Sequence, residues 1–153
     1  RNMSGIKVRH ATAAEAGRIA DFTRAHALET EGLALNELTV RGGVVALMGH
    51  PERGFYLIAE EDGIPAGCLL VTYEWSDWRN KMFWWISSYY VKPEMRGRGV
   101  DAAFEEKLQE LAARQGDVCG FRTYVHKACK SAQDVFRSLG MHEKEYVVFE
   151  DML

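Results

Sequence analysis

Trp84-Trp85-Ile86-Ser87-Ser88-Tyr89-Tyr90-Val91-Lys92-Pro93-Glu94-Met95-Arg96-Gly97-Arg98-Gly99-Val100 is the stretch whose reading decides the fold. Up to Val91 it is aromatic and β-branched around a serine pair, and it reads as a strand. Pro93 has no N–H and ends that ladder. From Val100 the period changes. Val100, Phe104, Leu108 and Leu111 form one apolar stripe at helical spacing, with Glu105, Glu106, Lys107 and Glu110 off it. The unit is therefore strand, short basic glycine loop, helix.

That order has a chemical meaning. Gly97 and Gly99 lack a Cβ, so the backbone can turn tightly there and approach a ligand closely. The loop opens into a helix whose first N–H groups have no partner and whose dipole is positive. Such an end binds phosphate, and Lys92, Arg96 and Arg98 add cationic donors, so a pyrophosphate is the natural guest. A Walker A loop requires Gly-Lys-Ser/Thr, which is missing here. Gly97-x-Gly99-x-x-Ala102 satisfies the dinucleotide fingerprint superficially. Five residues separate Val91 from Gly97, however, and the next strand candidate ends in His126 where an acidic ribose ligand is expected. The pyrophosphate loop of acyl-coenzyme A transferases, Gln/Arg-x-x-Gly-x-Gly/Ala, fits Arg96-Gly97-Arg98-Gly99-Val100-Asp101 except at the last position.

The segment from Tyr89 through Val100 resembles the central motif of the GNAT superfamily of N-acyltransferases. Glu74-Trp75-Ser76-Asp77-Trp78-Arg79 followed by Trp84-Trp85-Ile86 resembles one bacterial branch of it. Ala132-Gln133-Asp134-Val135-Phe136-Arg137-Ser138-Leu139-Gly140-Met141 resembles the last helix and the turn after it. The three segments stand in the family's order and span nearly the whole chain.

The chain has 153 residues, 47% hydrophobic and 27% charged, which fits one domain with a real core. Residues 1–3 read as an added remnant and a start Met, and 4–153 as a single N-acetyltransferase domain. The net charge of −3, from 22 acidic and 19 basic residues, argues against a nucleic-acid or membrane-surface partner. Cys68, Cys119 and Cys129 are odd in number and widely spaced, which suggests neither a metal site nor a disulfide framework and favours a reducing cytoplasm. No apolar run reaches membrane length, and no signal peptide is visible.

Strands are expected at 6–10, 55–60, 66–75, 82–91, 118–125 and 145–151. Helices are expected from the capping box Thr12-Ala13-Ala14-Glu15 to about Thr30, then at 37–48, from Val100 to a C-cap at Gly116, and at 131–139. The strand–helix–strand passage around Gly99 requires a locally parallel pair. The fold class is α+β, a mixed and mostly antiparallel sheet with covering helices, as the resemblance also implies.

The resemblance implies acetyl-CoA as cofactor and direct attack of an amine on the acyl thioester. It places the backbone of Tyr89, Tyr90 and Val91 against pantetheine, and the loop and helix start at Arg96, Gly97, Arg98, Gly99, Val100, Asp101 and Ala102 against the pyrophosphate. Three residues depart from the family pattern. Asp101 stands where Gly, Ala or an aromatic is usual, and its carboxylate is accommodated if it faces solvent. Phe136 stands at the usual position of the tyrosine acid. Cys129 stands where an Asn often contacts the cofactor. An alkyl ammonium has a pKa of about 10.4, so a base is needed. The acid and base candidates are Glu29, Glu74 and His126. Glu31, Trp75, Asp77, Trp78 and Trp84 are assigned to an acceptor wall that, with Glu29 and Glu74, suits a cationic amine. The acceptor is a small-molecule or protein amine, and a homodimer is among the expected assemblies. The alternative reading is a non-catalytic acyl-CoA-binding or sensor domain that kept the fold and lost the acid.

Overall fold

A computed structural model describes residues 5–153; the remnant expected at 1–3 lies outside them. Five strands form one sheet in sequential order: β1 Ile6–His10, β2 Gly54–Glu61, β3 Ile64–Ser76, β4 Lys81–Val91 and β5 Val118–Thr123. Neighbours are antiparallel except β4 and β5, which are parallel. A parallel pair needs a crossover, and α3, Val100–Gln115, supplies it. The mixed sheet and the crossover are those expected from the sequence.

The sheet has a core on each face. On one side, α1 (Ala16–Glu31) and α2 (Glu37–Met48) bury Ile19, Phe22 and Val44 against Tyr56, Ile58, Cys68 and Tyr90. On the other, Val100, Phe104 and Leu108 of α3 and Phe136 of α4 (Lys130–Ser138) pack on Leu57, Leu69, Trp84, Ile86 and Val91. Alternation along β4 sends Tyr89 and Val91 to the α3 side and Tyr90 to the α1 side. Burying Phe104, 1% exposed, contributes about 1.5–3 kcal/mol.

The helix ends follow from local chemistry. Glu15 accepts the Thr12 N–H at 2.9 Å, closing the expected capping box. Gly32 ends α1 in the left-handed region with φ 66°, and Gly116 ends α3 with φ 84°. Asn36 caps α2 by accepting the Thr39 N–H at 2.9 Å.

One expected element is absent. The strand assigned to 145–151 does not form: residues 142–153 have no regular structure, and their backbone makes no hydrogen bond among the described residues. A strand exists only with a neighbour to pair with, and this segment lies alongside none within its own chain. No described helix is long and apolar enough to cross a membrane.

Candidate active site

The site begins where two strands part. The ladder between β4 and β5 runs from Met82–Val118 to Ile86–Thr123 and stops there. Thr123 Oγ1 donates to the Ile86 carbonyl at 2.9 Å and closes it. At the next residue β4 bulges: Val71 pairs with Ile86 and Leu70 with Ser88, so Ser87 is the extra residue. Beyond the bulge, residues 88–91 are paired only with β3. A strand edge is thus left open inside the sheet, along the backbone of Tyr89, Tyr90 and Val91.

A cradle of N–H groups continues that edge. After the 3-10 turn Pro93–Met95, the chain passes through Gly97 at φ 73° and Gly99 at φ 93°. Both values lie where an L side chain is strained. The first bond of the helix ladder is from Ala103 N–H to Gly99 O, 3.0 Å. The N–H groups of Gly97, Arg98, Gly99, Val100, Asp101 and Ala102 meet no acceptor among the described residues. They lie in the loop and first turn at the positive end of a 16-residue helix, which fits a pyrophosphate.

The two arginines expected to add cationic donors to the loop already have carboxylate partners. Arg96 forms a two-pronged pair with Glu29 at 2.5 and 2.7 Å and donates through Nε to Val91 O at 3.0 Å. Arg98 reaches Glu61 at 3.0 Å. The donors of this loop without a partner are therefore mainly backbone N–H groups. Asp101 also differs from expectation. It turns inward, where its carboxylate accepts the Tyr89 hydroxyl, and burial raises its pKa. It lines an apolar hollow with Phe104 and Phe136, and the Phe136 ring lies 5.9 Å from that of Tyr89. Asp101 is thus held off the cradle's mouth.

Cys129 stands at the start of α4, half-buried, with its N–H on His126 O at 2.9 Å. Together with Lys130 and Ser131 it faces Glu29 and Thr30 across a hollow. The end of α1, the Arg96 loop and the start of α4 therefore surround one opening. His126 is exposed, and its Nδ1 accepts the Ala128 N–H at 3.1 Å, which holds the turn into α4.

The acceptor wall does not assemble as the sequence suggests. Glu29 lies at the Tyr90 end of β4, whereas Glu74 pairs opposite Phe83, seven residues away. Seven extended residues span about 23 Å. Glu74 is also occupied: Trp85 Nε1 donates to it at 2.7 Å and Arg122 at 2.9 Å, which lowers its pKa. Trp75, Asp77 and Trp78 sit exposed on the β3–β4 hairpin beyond Glu74, and Glu31 is exposed on α1. Trp84 is 4% exposed, a core residue wedged against Phe55 and Phe121 rather than part of a binding wall.

Sequence reasoning missed His26. Its ring faces Tyr90 at 6.4 Å on the turn of α1 that carries Glu29, and burial lowers its pKa. The available signal was its spacing, four residues after core Phe22 and three before Glu29. The bulge at Ser87 was also missed; the serine pair inside an apolar run marks it.

The profile of the Acetyltransferase (GNAT) family matches residues 20–141. A crystal structure of a possible acetyltransferase from Clostridium difficile 630 is 32% identical, with 97% of both chains covered and a TM-score of 0.88. Thialysine N-epsilon-acetyltransferase of Sus scrofa is 29% identical over 92% of this chain and 86% of its own. An aminoglycoside N-acetyltransferase solved in complex with CoA shares the fold at a TM-score of 0.75 and 15% identity, over 96% of this chain and 94% of that one. With an open strand edge running into a backbone anion cradle, and with these relatives, the chain belongs to the GNAT family and is an acetyl-CoA-dependent N-acetyltransferase.

Proposed function

We propose that this enzyme moves the acetyl group of acetyl-CoA to a primary amine of a small molecule or protein by direct attack of the amine. The observation that supports this most is the open β4 edge at 88–91 beside the N–H cradle at 97–102. Pantetheine, an extended amide chain, would pair with the backbone of Tyr89, Tyr90 and Val91 as an added strand. The pyrophosphate would rest on the N–H groups from Gly97 to Ala102, and Cys129 would border the opening. Acetyl-CoA brings the activated thioester; the protein brings position, which contributes up to about 7–11 kcal/mol in the best cases. A single N-acetyltransferase domain over 4–153, working in the cytoplasm, belongs to the same reading.

The amine must lose a proton, and Glu29 and His26 are the groups at the opening suited to take it. Burial keeps His26 neutral and thus able to accept. Glu29 is ionised beside Arg96. Phe136 has no proton to give, so the departing thiolate takes one from water. The name of the pig relative specifies the ε-amine of thialysine, which favours a lysine-like side-chain amine as acceptor. The test is thiol release from acetyl-CoA across a panel containing lysine, thialysine, polyamines and lysine peptides. Turnover with at least one primary amine is expected. Thiol release with none of them, in protein that binds CoA by calorimetry, would overturn the reading in favour of a binding domain.

A further inference from the structure

Resting on the acetyl-transfer reading above, we propose that Glu74 and Arg122 bind the two charged groups of a free α-amino acid, its ammonium on Glu74 and its carboxylate on Arg122, and so select a lysine-like amino acid as the acetyl acceptor. The spacing along the sheet comes first. Pantetheine laid on the β4 edge with its pyrophosphate at the cradle runs away from Val91, so its thioester reaches the bulge at Ser87, where β4 and β5 part. On β3, Cys68 and Leu70 lie under α1 and α2, and alternation turns Thr72 and Glu74 to the same face. Beyond that cover Thr72 and Glu74 are only half-buried, and Ser87 is exposed. Thr72 Oγ1 is hydrogen-bonded to Ser87 Oγ and so marks the acetyl end. Glu74 follows two residues on, about 7 Å along the strand. The aliphatic arm of lysine spans such a gap, with its terminal amine at Ser87 and its α-carbon at Glu74.

The path between those ends is lined for an apolar arm. Trp85 pairs opposite Thr72 and reaches Glu74 through Nε1 at 2.7 Å, so its indole lies along the gap. The Tyr124 ring, 70% exposed, leans on it with centroids 4.5 Å apart. The two rings give the methylene groups an apolar bed, and the indole beside Glu74 adds attraction for an ammonium.

The charged end is held ready. Arg122 Nη1 donates to Glu74 Oε1 at 2.9 Å and to Oε2 at 3.2 Å. Arg122 Nε and Nη2 meet no acceptor among the described residues, and that edge of a guanidinium is the one that takes a carboxylate in a two-pronged bond. The guanidinium lies 3.6 Å from the centroid of the Phe83 ring, which fixes its plane. The Glu74 side chain is 42% exposed, and a carboxylate has about four lone-pair sites, so an ammonium can join the donors already there. The pair also excludes other amines. A polyamine brings a second cation to Arg122, and a lysine within a peptide carries neither charge at its α-carbon. A free amino acid answers both groups.

Lysine analogues on the full wild-type chain test the site. Cadaverine is lysine without its carboxylate, ε-aminocaproate is lysine without its α-amine, and lysine blocked at both ends has neither charge. The kcat/KM for lysine should exceed that for each of them at least tenfold, with the difference in KM. Arg122→Gln should erase the preference over cadaverine, and Glu74→Gln the preference over ε-aminocaproate, in variants whose thermal melts show them folded. The wild-type ratios decide even where a substitution does not fold. An analogue used as well as lysine, or ratios unchanged in the folded variants, would overturn the assignment and leave acetyl transfer standing. Thiol release with no amine would instead overturn acetyl transfer. Calorimetry on the CoA-loaded chain then decides the site by itself: lysine binding at least tenfold tighter than cadaverine and ε-aminocaproate supports it, and equal or absent binding overturns it.

Discussion

Arg96 grips Glu29 through both nitrogens, at 2.5 and 2.7 Å, and so ties the end of α1 to the anion loop sixty-seven residues away in sequence. The pair is 44% and 43% exposed, and exposed pairs contribute about 0.2–1 kcal/mol. A pyrophosphate arriving at the cradle competes with Glu29 for the guanidinium. Glu29→Gln should therefore tighten CoA binding by up to about fivefold, the equivalent of 1 kcal/mol. Calorimetry at low and moderate salt reads this out. A tenfold loss of affinity would show that Glu29 holds the loop in its binding shape.

Gly99 sits at φ 93° as the residue before α3, and its N–H has no acceptor among the described residues. A β-branched side chain there is strained by roughly 1–2 kcal/mol and fills the space a phosphate would approach. Gly99→Val should weaken CoA binding at least tenfold. Unchanged affinity in a folded variant would remove the cradle assignment.

Asp101 has a raised pKa because it is buried, so the folded chain holds this proton more tightly than the unfolded one. Its contribution is fully present below the unfolded value of about 3.9 and is lost as pH rises through the folded value. Asp101→Asn keeps an acceptor for the Tyr89 hydroxyl and removes the charge. It should raise the melting temperature at pH 7 by about 2–4 °C, with the gain shrinking toward pH 4. Thermal melts across that range test it, and a loss of stability at pH 7 would mean that the ionised Asp101–Tyr89 bond outweighs burial.

His26 has a lowered pKa, chiefly from burial, with Glu29 and Glu31 opposing the shift. Its charged form is disfavoured in the fold, so the imidazole is neutral at pH 7 and remains so below 6.5. If it takes the amine's proton, kcat/KM should fall on an acid limb below pH 6.5, and His26→Gln should cost at least tenfold and erase that limb. A variant that keeps both the rate and the limb would leave Glu29 as the acceptor.

Phe136 is buried at 9% exposure against Tyr89. If water supplies the thiolate's proton, Phe136→Tyr should maintain or raise turnover. A drop of tenfold or more, about 1.4 kcal/mol, in a variant that still binds CoA would show that the site is built around the phenyl ring.

Most of the fold was legible because its signals are local. Alternation marks the strands up to β5, the Val100–Leu108 stripe marks α3, and Gly32 and Gly116 end their helices at positive φ. The cradle was legible for the same reason, since a loop and a helix start are adjacent in sequence. The strand at 145–151 was not: its residues have strand propensity, but pairing depends on a neighbour the segment lacks within its own chain.

What the sequence determined by itself is thus the order of elements through α4 and the glycine loop that opens into α3, both set by steric and hydrogen-bonding rules acting over a few residues. Which side chains share the opening was decided only by the tertiary structure. Glu29 and Glu74 look equivalent as exposed acids beside aromatic segments, yet β4 holds them at opposite ends and gives each its own arginine, Arg96 and Arg122. Likewise Asp101 turned inward because the Tyr89 hydroxyl lies there to receive it. Charges and hydroxyls act through space over a few ångströms, and only the packing of the sheet brings residues so distant in the chain within that range.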